Sequence, residues 1–238
     1  MTCGDDTANA VPGTRLARTL QFGDSLFPIG AFVFSGGLES AIQEGAVHDP
    51  DTLLGFARTA VEQANRGDGI ALVCAHRGAA DNDLDVLLAI DEMVYGRKLS
   101  SEARTMSVRM GRKSAELGVQ LTGSPLLRSW FERIAAGATP GCYPVALAAT
   151  FAGQGLPALD AFVVHQYGVA AAVLSAALRL MRIDHVETQR MLYVLNADVE
   201  AAYRIAAAAD LSEMAGFAPL TEILGEVHAR AHVRLFMS

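Results

Sequence analysis

Helix-forming signals recur along almost the whole chain, whereas the alternation of apolar and polar residues that marks a strand is hard to find. The clearest helix start is Asp49-Pro50-Asp51, which supplies an N-cap oxygen, a proline at the first helical position and an acid near the positive end of the helix dipole. Apolar residues then follow at three- and four-residue spacing, namely Leu53, Leu54, Ala57, Val61 and Ala64. The pattern predicts an all-α fold.

One domain of about ten helices, amphipathic and buried, is predicted over residues 15–238, after a flexible N-terminal tail over residues 1–14. Gly67-Asp68-Gly69 is predicted to break the chain between two helices, and Gly118 to end a helix that begins near Ser100. The last predicted helices span 186–209 and, more briefly, 219–230. A tail to Ser238 follows them.

The segment 162–183 is apolar enough to resemble a membrane span. Its uninterrupted apolar run, 167–178, is only 12 residues long, too short to cross about 30 Å of hydrocarbon. An apolar central helix inside a folded protein is therefore the prediction, and no membrane is expected as a partner.

Charge and cysteine content restrict the partners and the compartment. The net charge is −7 and no Lys/Arg-rich tract occurs, so nucleic acid is not an expected partner. Three cysteines, Cys3, Cys74 and Cys142, form no short-spaced pair, which favours free thiols in a reducing cytoplasm. The N-terminus lacks the pattern of a signal peptide, and a cytoplasmic location is expected.

Sequence patterns for catalysis or cofactors are weak. Residues 110–114 resemble the end of a P-loop, but Arg112 separates the glycine from Lys-Ser. Residues 153–158 fit a loose dinucleotide pattern without the strand that it requires. His228 and His232, four apart, are weak metal candidates because two ligands alone make a poor site. We therefore expect no enzyme and no cofactor.

The segment 20–39 is unusual for a helical protein. Pro28 and Gly30 predict a rigid turn after a first helix that ends at Asp24-Ser25. Ser35-Gly36-Gly37 then begins the next helix, with Glu39 in its first turn. Four apolar side chains lie on the connection and are either tucked into the core or used as a contact surface: Phe27, Ile29, Phe32 and Phe34.

This segment resembles the N-terminal signature of the urease accessory protein UreF family, D-S-x-x-P-x-G-x-[FY]-x-[HW]-S-x-G-L-E. Four later places resemble the family in the same order: Glu102-Ala103-Arg104, Gly141-Cys142-Tyr143-Pro144-Val145, the S-x-x-x-R-L helix at 175–180, and the R-L-F-x-S ending at 234–238. Phe34 and Cys142 depart from the pattern, because each stands where the family usually has histidine (or tryptophan, at position 34). The segment 182–189 also departs from the family's P-L-G-Q-T-D-G-Q.

The resemblance implies an all-α homodimer that bridges the UreD/UreH scaffold and the UreG GTPase during nickel insertion into apo-urease. Our hypothesis places the partner-binding surface on residues near both ends: Phe32, Ser35, Glu39, Arg234, Leu235 and Phe236. Aromatic and arginine side chains commonly dominate interfaces. The residues that match the family pattern and are expected to maintain the structure are Pro28, Gly30, Gly37, Arg104, Tyr143, Pro144 and Arg179.

Two other functions compete with a scaffold. A regulator of the partner GTPase would supply an arginine in trans, and Arg104, Arg179 and Arg234 are available. A helical enzyme acting on an isoprenoid-like substrate would need an acidic metal-binding cluster such as D-D-x-x-D, which the sequence lacks.

Overall fold

A computed structural model of the chain describes residues 12–30, 34–215 and Phe236. Across these residues the secondary structure is helical and contains no strand, which confirms the predicted all-α single domain. The α-helices are α1 Pro12–Gly23, α2 Leu38–Gln43, α3 Pro50–Ala64, α4 Ile70–Ala80, α5 Leu84–Arg97, α6 Ser101–Thr122, α7 Pro125–Ala135, α8 Tyr143–Ala152, α9 Ala158–Leu180, α10 His185–Leu195 and α11 Val199–Ala208. The helix predicted at 219–230 lies outside the described residues.

The predicted start of α3 is confirmed in atomic detail. The Asp49 side chain accepts a hydrogen bond from the Thr52 backbone N–H at 2.8 Å. In return, the Thr52 hydroxyl oxygen accepts one from the Asp49 backbone N–H at 3.1 Å. This reciprocal capping satisfies backbone donors that a helix start leaves without partners.

The predicted break at Gly67-Asp68-Gly69 is wrong. Residues Asn65–Gly69 form a π-helical turn that joins α3 directly to α4. A Cβ on Gly69 would lie 2.7 Å from the Phe162 ring, so this glycine allows α9 to approach closely. The Asn65 amide also donates to the Gln166 side-chain oxygen at 2.9 Å. Packing against α9 therefore outweighs the weak helix propensity of glycine.

Two other predicted boundaries are also wrong. Helix α6 continues past Gly118 and ends at Gly123, which has a φ of 68°. A Cβ on Gly118 would lie 2.5 Å from the Thr150 hydroxyl, so this glycine serves helix packing. The segment 186–209 is two helices, because α10 ends at Leu195 and α11 begins at Val199. Asn196 and Asp198 flank this break, and both residue types favour helix ends over helix interiors.

The core consists of two clusters of buried apolar side chains. The first cluster is formed by α1, α4 to α8, α11 and the N-terminal part of α9. The second cluster is formed by α2, α3, α10, Phe236 and the C-terminal part of α9. Helix α9 is the predicted apolar central helix. It is long and apolar enough to span a membrane, but 56% of its apolar window is buried inside the protein.

Candidate partner-binding site

The connection between α1 and α2 contains the turn that the sequence predicts. The Asp24 side chain accepts from the Leu26 N–H at 2.6 Å, and the Asp24 carbonyl accepts from the Phe27 N–H at 3.0 Å. Gly30 has a φ of 78° and Gly37, which precedes α2, has a φ of 84°. Both values lie in the left-handed region that favours glycine. Pro28 lies between Asp24 and Gly30. Phe32 lies outside the described residues.

The side chains of Phe27, Ile29 and Phe34 in this connection are directed towards the core, whereas Leu26 is 86% exposed. The Phe27 ring lies 4.8 Å from the Phe22 ring between centroids. Phe27 and Ile29 pack against the first cluster, and Phe34 is buried. Of the two alternatives for this connection, packing against the core is the one that its described aromatic side chains, Phe27 and Phe34, adopt.

Ser35, Glu39 and Phe236 are buried as well, so the expectation that they are displayed on the surface is wrong for this conformation. The Phe236 backbone N–H donates to the Glu39 carboxylate at 3.3 Å. The Arg179 guanidinium lies 5.4 Å from the centroid of the Phe236 ring. The Phe236 ring thus joins the second cluster and removes apolar area from water. A role of these residues in partner binding stays a prediction, and Arg234 and Leu235 lie outside the described residues.

A buried carboxylate holds the loop before α8. Asp91 on α5 is fully buried and accepts hydrogen bonds from three donors at 2.6 to 2.7 Å. The donors are the Thr139 hydroxyl and the backbone N–H groups of Gly141 and Cys142. Each charge-assisted bond is stronger than a neutral one, so this arrangement, the loop clamp, fixes the loop against α5.

Helix α6 supports the same loop from its other side. A Cβ on Gly111 would lie 2.1 Å from the Gly141 carbonyl oxygen, so only glycine permits this approach. The Ser107 hydroxyl accepts from the Tyr143 N–H at 3.3 Å. Pro144 occupies the first turn of α8, where its missing N–H costs nothing. The matched segment 141–145 therefore has a structural explanation in this chain.

Cys142 stands where the family pattern has histidine. The residue is fully buried, and its backbone N–H, as described above, donates to Asp91. Burial and the neighbouring Asp91 carboxylate raise the pKa of the Cys142 thiol well above its usual range. A thiol held in its protonated form is a poor nucleophile and a poor metal ligand.

A second carboxylate, that of the half-buried Asp68, lies in the π turn. Both Asp68 carboxylate oxygens accept from the Lys98 ammonium at 2.8 Å, and His165 Nε2 lies 3.7 Å from one of them. The His165 ring also stacks on Tyr143, with centroids 5.9 Å apart. Burial alone raises the pKa of Asp68, but Lys98 and His165 outweigh it and hold that pKa well below its usual range.

An apolar cavity of about 220 Å³ lies beside this second carboxylate. It is bounded by the start of α2, the end of α3, the start of α6 and the middle of α9. Asp68 and Lys98 line it, as does Ser35 in the segment that precedes α2. The cavity thus adjoins both the π turn and the segment that matches the N-terminal signature.

Arg104 matches the family's E-x-R segment and contacts its own chain. Its Nε donates to the Lys98 carbonyl oxygen at 2.8 Å, and its guanidinium lies 5.6 Å from the centroid of the Tyr95 ring. These contacts fix the turn between α5 and α6. Within the described part of the chain, no three His, Cys, Asp or Glu side chains form a metal-binding group. The weak metal candidates His228 and His232 lie outside the described residues.

The fold and these sites define an all-helical protein in which the polar groups described above bond to its own backbone and side chains. The family model for UreF matches residues 47–196. Proteins called urease accessory protein UreF from Yersinia pseudotuberculosis serotype IB and from Yersinia pestis are each 48% identical to the chain over 221 residues, which is 93% of this chain and 97% of theirs. The protein of the same name from Yersinia enterocolitica serotype O:8 is 47% identical over the same length.

The chain therefore belongs to the UreF family of urease accessory proteins. The resemblance drawn from the sequence segments is confirmed. The match extends over nearly the full length of the relatives, so it concerns the protein as a whole rather than one module.

Sequence inspection missed both carboxylates, the buried Asp91 and the half-buried Asp68. Asp91 follows Ile90 on a face that also carries Leu87 and Val94, and an acid among buried apolar positions was an available signal. Asp68 gave no comparable signal, because its partner Lys98 lies 30 residues further along the chain. Only the tertiary structure brings that pair together.

Proposed function

We propose that this protein is a non-enzymatic scaffold in urease maturation, which bridges a UreD/UreH-type protein and the UreG GTPase while nickel, the cargo, is inserted into apo-urease. Family membership over 93% of the chain supports this role more than any other observation. The proposal includes a cytoplasmic location for the protein. The described body positions its polar groups for structure, which suits a protein that acts by binding.

The C-terminal end is the proposed contact with the UreD/UreH-type partner. The Phe236 ring packs against the Arg179 guanidinium, and the Phe236 N–H donates to the Glu39 carboxylate. Phe236 therefore lies next to the matched N-terminal segment. A partner that binds here would engage Arg234 and Leu235 together with the surface around Glu39. Interfaces built on one arginine and one aromatic residue commonly concentrate their binding energy there.

Truncation after His232 tests this contact. The truncated chain should lose copurification with the UreD/UreH-type protein while its helical circular dichroism and its own oligomeric state stay unchanged. A Leu121→Asp variant, altered on an exposed residue of α6, serves as the control and should keep that partner. Full retention of the partner by the truncated, folded chain would sink the tail hypothesis.

A homodimer is the proposed assembly. Helices α9 and α10 pack on each other and carry exposed aromatic and aliphatic side chains, including Tyr167, Tyr193 and Val194. Exposed apolar residues on adjacent helices favour burial against another protein surface. A second copy of this chain is the occupant that the family resemblance implies. Tyr167→Asp combined with Tyr193→Asp should yield monomers in sedimentation experiments, whereas Leu121→Asp, an exposed change on α6, should leave dimers.

The alternative is a regulator of GTP hydrolysis by the partner. That role needs an arginine presented in trans. Arg104 and Arg179 already contact Tyr95 and Phe236 of their own chain, and Arg234 lies outside the described residues. The scaffold is therefore preferred. An unchanged rate of GTP hydrolysis by UreG on addition of this protein would agree with it, and a large acceleration would favour the regulator.

A further inference from the structure

A groove of about 660 Å³ runs along α6 on the side that faces the loop before α8. Three arginines of α6 line it: Arg104, Arg109 and Arg112. Thr139 and Pro140 form the opposite wall. Arg109 and Arg112 are exposed, and Arg104 is half-buried. The groove is thus a basic surface on a chain whose net charge is −7.

The loop wall of this groove is preformed. The loop clamp holds Thr139 through the Asp91 carboxylate at 2.6 Å, and Arg112 Nε donates to the Pro140 carbonyl at 3.4 Å. The contact of Gly111 with the Gly141 carbonyl sets the distance between the helix and the loop. A preformed surface loses little conformational entropy when it binds, and this increases the affinity for a matching ligand.

The charges of the groove favour a carboxylate ligand. Glu92 is the acidic residue among those that line it, against three arginines. Lys113, in the adjoining depression, is paired with Glu116 at 2.9 Å and adds little. Guanidinium groups bind carboxylates through paired, charge-assisted hydrogen bonds.

We infer that this groove binds an acidic segment of a protein partner, with Asp or Glu side chains contacting Arg109 and Arg112. The preference for an anion follows from the residues that line the groove. The use of the groove in urease maturation rests on the proposed function, in which the acidic segment belongs to one of the proteins assembled on this scaffold.

Fluorescence anisotropy with a fluorescein-labelled deca-glutamate peptide tests the preference directly. The wild-type chain should bind it, more weakly as salt rises, and should not bind a deca-lysine peptide. Arg109→Glu with Arg112→Glu should weaken binding about tenfold or more, which is about 1.4 kcal/mol or more. Arg58→Glu with Arg128→Glu makes the same change of charge on exposed residues of α3 and α7 and should shift the Kd less than about twofold.

Three outcomes would overturn the inference. One is absence of peptide binding by the wild-type chain, and another is equal weakening in both double variants. The third is displacement of the peptide by millimolar inorganic phosphate, which would make the groove a phosphate site. The neutral variant Arg109→Gln with Arg112→Gln controls for misfolding of the glutamate variant. It removes the same two charges, so it must also weaken peptide binding.

Copurification with the urease accessory proteins separates this inference from the proposed function. If the wild-type chain retains neither partner, the proposed function fails, while the peptide titration still decides the groove. If the wild-type chain and the groove variant retain the same partners in equal amounts, the groove has no role in the assembly and the inference about its partner is wrong.

Discussion

The loop clamp and the π turn both contain irregular backbone beside a carboxylate, but the two carboxylates have different partners. In each, one carboxylate, fully buried in the loop clamp and half-buried in the π turn, lies at a stretch of backbone that departs from regular α-helix. Asp91 accepts from one hydroxyl and two backbone N–H groups in a fully buried site. Asp68 accepts from the Lys98 ammonium and lies near His165, beside the apolar cavity.

The difference lies in how far each carboxylate depends on a charged partner. Asp91 is satisfied by dipoles that belong to the loop it holds, so the loop and its anchor form one rigid unit. Asp68 depends on an ion pair formed across the structure, and ion pairs lose much of their attraction to desolvation. The loop clamp therefore contributes rigidity, and the π turn is the softer of the two.

The largest expected effect is that of Asp91→Ala. Removing the carboxylate leaves two backbone N–H groups and a hydroxyl buried without partners, at a cost of about 4 kcal/mol of unfolding free energy. Urea unfolding followed by circular dichroism measures the loss. Asp85→Ala, an exposed change on the same helix, is the control and should cost less than about 1 kcal/mol. Equal losses of unfolding free energy in the two variants would show that the loop clamp stabilises the fold no more than an exposed carboxylate does.

Gly111→Ala should cost about 3 kcal/mol, because the new methyl group meets a backbone carbonyl that the loop clamp prevents from moving. Gly55→Ala on α3 is the matched control. A Cβ there meets nothing within 4 Å, so alanine should stabilise the chain by about 0.5 to 1 kcal/mol. A stabilising Gly111→Ala would mean that the loop yields easily.

Lys98→Met should cost about 2 kcal/mol at neutral pH, since it leaves the Asp68 carboxylate with a weaker set of partners. The pKa of Asp68 is lowered in the folded state, so the pair stabilises the fold above the ordinary carboxyl pKa of about 4 and loses that contribution as pH falls below it. The difference between variant and wild type should be constant from about pH 5 to 8 and shrink in more acidic urea titrations. A difference that grows on acidification would contradict the assigned sign.

Gly69→Ala has the smallest expected effect, about 1 kcal/mol of destabilisation. The added methyl group meets the Phe162 side chain rather than backbone, and alanine recovers part of the loss through its helix propensity. Thermal unfolding beside Gly111→Ala makes the comparison direct. If Gly69→Ala proves the more damaging of the two, the π turn is the stiffer region and the comparison is reversed.

Sequence alone predicts the helices of this chain well wherever local chemistry decides. The Asp49 cap, the turn between Asp24 and Gly30 and the start of α2 after Gly37 all lie where the residues predict them. Glycine within helices is the main source of error. Gly69 and Gly118 are present because another helix approaches closely, and a single sequence does not distinguish that reason from a helix end.

The candidate site was less predictable than the fold. The family resemblance drawn from the matched segments is confirmed, yet Ser35, Glu39 and Phe236 are buried rather than displayed. The Glu39 carboxylate accepts a hydrogen bond from the Phe236 N–H, 197 residues away, and no local pattern encodes that contact. The basic groove also depends on a tertiary neighbour, because its second wall is the loop that Asp91 holds.

The role in urease maturation is tested by measuring urease activity and nickel content in cells that carry the urease genes and the other accessory genes, with and without this chain. Urease should be nickel-poor and inactive in the absence of the chain, and both nickel content and activity should be restored when the wild-type chain is supplied. Full activity and full nickel occupancy without the chain, at the same nickel concentration, would contradict it.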